Sequence, residues 1–321
     1  MRTILLSIVV VTLGTDVAWS SATAFDIDRP AYLALAILAA IVGAGSIFYG
    51  RFRGDEKLNA MLFGTFFLIA FSASFGVLNY FLLTVAGARI DQELASIDRM
   101  AGIDWRALMR LAEMHPLANR ILYLAYISTL PQIAILVNCL GLWARPIDIY
   151  KFCLSIAIGA AITVAVWTVA PSFGAFSVYP INHTPQFALA VDFTYARDLL
   201  DLLAHGPSRI SPFELKGLIA FPSFHTVLAV FTVWYAWDVR FLRCPALILN
   251  LLVLASIPIQ GGHHVIDIAG GLAVAMLAIS LTNLIARRSL TAAAFAKRSR
   301  IVIYVGAPRN EANAIKATTK N

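Results

Sequence analysis

The chain is expected to be all-α: a polytopic transmembrane helical bundle of about eight spans, with short amphipathic helices on its outer surface. Three observations lead there. Of 321 residues, 60% are hydrophobic and only 13% charged, and mean hydropathy is +0.77, whereas soluble domains run near half apolar and a quarter charged. The apolar residues fall in runs suited to a hydrocarbon layer about 30 Å thick, which takes about 20 residues of helix. The short loops after alternate runs are rich in Lys and Arg. The same composition excludes a disordered chain and a disulfide-stapled scaffold: Cys139, Cys153 and Cys244 lie in or beside apolar segments and read as small buried hydrophobes.

Taken in order, the runs are Ile4 to Ser20, Ala31 to Tyr49, Leu58 to Ala86, Leu117 to Ala144, Phe152 to Phe173, Gly217 to Trp237, Cys244 to Ile259 and His263 to Ala286. The first also reads as a signal peptide ending near Ala22-Thr23-Ala24, but Asp16 and Trp19 favour a retained helix. Arg51, Arg53 and Lys57 follow the second run, Arg145 and Lys151 the fourth, and Arg240 and Arg243 the sixth. The positive-inside rule puts these loops in the cytoplasm, together with a flexible basic tail over 287–321. Residues 1–286 then form one membrane domain. The net charge of +7 is an orientation signal concentrated in that tail, so no nucleic-acid partner is expected.

Outside the membrane, Ile90, Leu94 and Ile97, then Leu108, Leu111 and Ala112, keep helical spacing among charged neighbours. Asp104 suits the cap of the second such helix and Pro116 its end. Asp192, Asp198 and Asp201 alternate with Arg197 and read as a charged helix face rather than a site for a substrate alcohol. Asn182-His183-Thr184 matches a glycosylation acceptor, a weak signal on its own. His115, His183 and His205 read as solvated or locally bonded.

The other three histidines cluster near the outer ends of two runs, where ionisable side chains usually face an interior cavity. The patterns are Phe221-Pro222-Ser223-Phe224-His225-Thr226 and Gly261-Gly262-His263-His264-Val265-Ile266-Asp267. If the second opens a helix, His263 and Asp267 share a face. Asp267 can then accept from one ring nitrogen and leave the other as an attacking lone pair. Pro222 suits a first helical turn, so both histidines would stand beside helix N-termini able to bind phosphate. A nucleophilic histidine, a histidine acid and two anion-binding helix ends describe phosphoryl transfer.

Pro222-Ser223-Phe224-His225 and His263-x-x-x-Asp267, in this order, resemble the second and third signature motifs of the type 2 phosphatidic acid phosphatase superfamily; the core motifs lie within 216–271. The resemblance implies that His263 attacks phosphorus to give a phosphohistidine, that Asp267 orients it, that His225 protonates the leaving alcohol, and that neither metal nor other cofactor takes part. Ser223 and Gly262 fall in the phosphate-binding motifs. The first motif, a lysine followed six residues on by Arg-Pro, is absent: Arg145-Pro146 has Asn138 at the lysine position and lies on the inner side. Lys216, Arg209 and Arg197 are the outer cations available to replace it. Ser256 to His263 and Gly102-Ile103-Asp104-Trp105 look most like the branch containing inositol phosphorylceramide synthase and related bacterial membrane proteins, where His264 stands at a wall position often held by tyrosine. The expected substrate is a lipid phosphate or phospholipid in a bacterial inner membrane, with the site facing outward. Hydrolysis and headgroup transfer to an alcohol both fit. Haem or metal ligation by His225 and His263 is the competing class, and it leaves Asp267 and the paired helix starts without a task.

Overall fold

The structure, a computed structural model, describes residues 1–306 except 24, 144, 182–186 and 207–208, with side chains as far as 289 save that of 196. The possible glycosylation tripeptide and residues 307–321 of the tail lie outside the described residues. Among the described residues the architecture is helical, with one isolated bridge between Ile27 and Ile210.

Twelve helices follow in order. α1 (Arg2–Ser20), α2 (Arg29–Phe48) and α3 (Glu56–Leu82) form an N-terminal layer. α4 (Asp91–Met100) and α5 (Trp105–Met114) are the two short outer helices. α6 (Pro116–Ile127) and α7 (Thr129–Trp143) make one broken run, and α8 (Pro146–Val169) follows. A third outer helix, α9 (Tyr195–His205), precedes α10 (Phe224–Ala236), α11 (Arg243–Gln260) and α12 (Ile266–Gly306). The backbone of α12 is therefore helical through the first part of the basic tail.

Among the described residues six helices are long and apolar enough to span a membrane, and α6 with α7 makes a seventh if a 50° bend is allowed. The expected count of eight is reduced to that extent, for two local reasons. Pro131, early in α7, has no N–H for the carbonyl of Ile127 and crowds it, which breaks the helix. Ser128 and Thr129 hydroxyls take up nearby carbonyls, of Ala125 at 2.7 Å and Tyr126 at 2.8 Å. The sixth run is helical only from Phe224, because Pro222 and the Ser223 cap start the helix there. Its 13 residues span about 20 Å at 1.5 Å per residue.

α1 packs on α3 and α8. Leu5 and Val9 enter the main core, Arg2 donates to Asn59 and Ser46, and the Ser74 hydroxyl donates to Asp16 at 2.6 Å. The core is filled by Phe63, Phe67 and Phe71 of α3 against α8, α10 and α12. Ser155 bonds both Tyr235 (2.8 Å) and Thr282 (3.0 Å), tying those last three helices together. Cys139 and Cys153 are buried as expected, but Cys244 is exposed at the start of α11. Asp104 caps α5 by accepting from Ala107 N–H. The inward faces of the outer helices carry Leu94, Ala95, Trp105 and Met109, while Ile97 and Leu111 point outward.

Candidate active site

Each functional side chain is positioned by a short-range device. Ser223 stands at the N-cap of α10 and accepts from Thr226 N–H at 3.4 Å, and its own N–H donates to the Asp267 carbonyl at 3.1 Å. The start of α10 is thus bonded to the start of α12. Gly271 makes that approach possible, since a Cβ there would collide with the Ser223 carbonyl and Thr226. Gly262 has φ 62° and its carbonyl accepts from Ala175 N–H at 2.6 Å. Any side chain at 262 would run into Phe176.

The Asp267 carboxylate accepts from His263 Nδ1–H at 3.0 Å and from His264 N–H at 3.0 Å. With Asp267 ionised and accepting from Nδ1–H, the lone pair of His263 is on Nε2; the Ala220 backbone is a second hydrogen-bond neighbour of the ring. His263 is 4% exposed and Asp267 fully buried. His225 stacks on Tyr126 with centroids 4.1 Å apart, and the Tyr126 hydroxyl lies 3.3 Å from its Nδ1. His225 and His263 line one cavity of about 400 Å³ together with Tyr126, Tyr195, Asp198 and Lys216. Burial holds the Tyr195 phenol well above its usual range, so this wall keeps a hydroxyl donor. His264 is fully buried beside the cavity wall, its Nδ1 3.9 Å from Asp98.

The cations divide. Lys216 reaches the cavity and pairs with Asp198. Arg209 turns away to Asp28 at 2.8 Å, beside the bridge that joins Ile27 to Ile210. Arg197 is exposed on α9 and is not among the cavity residues. The structure therefore brings together His263, His225, Asp267 and Lys216, with Ser223 and Gly262 as backbone supports.

The N-terminus of α12 also differs from its expected use. Asp98 of α4 accepts from Val265 N–H (2.7 Å) and Ile266 N–H (2.9 Å), filling the donors anticipated for phosphate. Asp91, on the same helix, accepts from Ser172, Phe173 and Gly174. Tyr126, Asp98 and Asp91 escape a reading by motif because the partners of the two carboxylates lie 81 to 168 residues away, and that of Tyr126 lies 99 away. Among the described residues no group of three or more His, Cys, Asp or Glu side chains is arranged to hold a metal ion.

A helical bundle of membrane type thus carries a carboxylate-held histidine and a second histidine in the lining of one cavity. The sequence model of the PAP2 superfamily matches residues 92–281, more than half of the chain. The chain belongs to that superfamily, and activity on phosphate esters comes with membership. No curated protein and no solved structure matches it.

Proposed function

We propose that this protein is a lipid phosphatase that hydrolyses a lipid phosphate through a phosphohistidine on His263, at the outer leaflet. The observation that carries the reading is the 3.0 Å bond from His263 to Asp267 at the wall of a cavity that His225 also lines. The Nε2 lone pair of His263 attacks phosphorus and the P–O bond to the alcohol breaks. His225 gives a proton to the departing oxygen, while Asp267 holds the Nδ1–H of the imidazolium that forms. Water then attacks the phosphohistidine, giving its proton to His225, and His263 leaves. Lys216 neutralises phosphate charge in the ground and transition states. The catalytic domain is 1–286, with the tail beyond 287 in the cytoplasm.

Headgroup transfer is the second reading, favoured by Asp192 and Asp198 on the same cavity wall, where carboxylates can accept from the hydroxyls of an alcohol. Purified protein supplied with a lipid phosphomonoester, with and without added alcohols, separates the two: free phosphate marks hydrolysis and a new phosphodiester marks transfer. His263→Asn should lower either activity to background and abolish acid-labile, base-stable phosphate trapped on the wild type. Turnover surviving in the folded variant would end the proposal.

A further inference from the structure

At the opposite end of α10 from His225 lies a second, larger cavity of about 620 Å³, between α8, α10, α11 and α12. Its mouth carries Arg145, Asp148, Lys151 and Asp238, and its side wall Trp234 and Trp237. Both indoles are 49% exposed and, with Leu247 and Leu251, face outward from α10 and α11, so the cavity opens sideways. In a bilayer that opening meets lipid, and the indoles stand at the level where Trp anchors interfaces.

The polar groups are incompletely matched. Asp148 takes the Arg145 guanidinium at 3.1 and 3.3 Å. Lys151 has no hydrogen-bond or ion-pair partner among the described residues, and Asp238 feels the Arg145 guanidinium electrostatically without bonding to it. Deeper in, Asn250 donates to Gln132 at 2.7 Å and to the Ala246 carbonyl. It is only 2% exposed, yet its Oδ1 has no donor. Such a buried acceptor within an apolar layer calls for an N–H or O–H. Lys151 is five residues into α8 and Asn250 seven into α11, depths of roughly 8 to 10 Å at 1.5 Å per residue. A cation and a neutral acceptor thus stand at similar depth, with the Asp238 carboxylate nearer the surface.

We propose that this cavity binds an aminophospholipid of the inner leaflet, with its phosphate on Lys151 and its primary ammonium between Asp238 and the Asn250 amide oxygen. The acyl chains lie along Trp234, Leu247 and Leu251. Phosphatidylcholine shares the phosphate and the positive charge but has no N–H to give, and phosphatidylglycerol offers O–H to Asn250 but no positive charge to Asp238, so neither meets both needs.

Full-length protein in detergent, exposed to equal amounts of phosphatidylethanolamine, phosphatidylcholine and phosphatidylglycerol with identical chains, tests this by native mass spectrometry. The expected result is one retained phosphatidylethanolamine per chain, at least tenfold over either competitor. Lys151→Ala and Asp238→Ala should each remove that preference, and Lys216→Ala, at the other cavity, should leave it unchanged. Equal retention of the three lipids by wild type, which needs no variant, would overturn the proposal. So would a preference for phosphatidylglycerol, or a preference abolished by Lys216→Ala and kept by Lys151→Ala.

Discussion

At the scale of single residues, His225 is defined by Tyr126. The phenol stacks on the imidazole and its hydroxyl meets Nδ1 at 3.3 Å. To act as the leaving-group acid His225 starts as the imidazolium, with Nδ1–H donating to the Tyr126 oxygen and Nε2–H free for the departing alkoxide; after the transfer Nδ1 keeps its proton and Nε2 is the base that takes one from water. His225→Ala should slow a substrate with a poor alkoxide leaving group by about 100-fold or more, and an activated aryl phosphate far less. Tyr126→Phe keeps the stack and removes the hydroxyl, so it should show the same selectivity at about a tenfold effect. Rates of variant and wild type on the two substrates decide the matter: equal loss on both would leave His225 and Tyr126 as packing or binding residues. The histidines and Asp267 were legible because they fall in two short local patterns, although His263 stands in the irregular segment before α12 rather than on its helical face. Tyr126 was not, since nothing in an apolar run marks which aromatic faces a residue 99 positions away.

Among the elements, the start of α12 holds the site together, and α4 holds the start of α12. Asp98 accepts two backbone N–H groups there, and neither bond is replaceable from within the helix, whose first donors have no partners of their own. Asp98→Ala leaves two buried donors unpaired, at about 1 to 3 kcal/mol each. A clear fall in Tm is expected, together with lost activity, since His263 lies just before that turn. Asp98→Asn retains one acceptor and should fall between. Thermal unfolding of the three proteins in one detergent checks this, and an Asp98→Ala protein as stable and active as wild type would show that the clamp is dispensable. Amphipathic spacing located α4, but the same pattern suits a collar lying on lipid. That it clamps a helix start depends on where Asp98 projects after folding.

For the whole molecule, the two ends of the bundle differ in kind. One end gathers the histidines under α4, α5 and α9, while Arg145, Lys151, Arg240 and Arg243 crowd the other. The orientation we propose, with the histidines outward, follows the positive-inside rule applied to that difference. Single cysteines at Ala204 on α9, where that residue is exposed, and at Ser289, where the apolar span within α12 ends, in a background lacking the native three, should react differently with an impermeant thiol reagent on intact cells. Position 204 is expected to label and 289 to stay protected. The reverse pattern would place the chemistry at the cytoplasmic leaflet.

Local patterns in the chain are enough to call for a membrane setting and to point to the phosphate-ester superfamily. Burying that many apolar runs requires a bilayer, and the four-residue spacing of His263 and Asp267 marks them as partners, although the helical face expected for the pair is not formed: His263 lies in irregular backbone three residues before α12 and its ring reaches back to Asp267 in the first turn. Tertiary structure decided which anticipated groups meet. Lys216 enters the cavity while Arg209 is drawn off to Asp28, and the donors at the start of α12 are spent on Asp98 rather than left for phosphate. It also shortened the sixth run to α10 and broke the fourth at Pro131. Hydropathy sums over a window and is blind to caps and missing N–H groups, and a pairing between distant residues depends on how helices pack, which local periodicity does not encode.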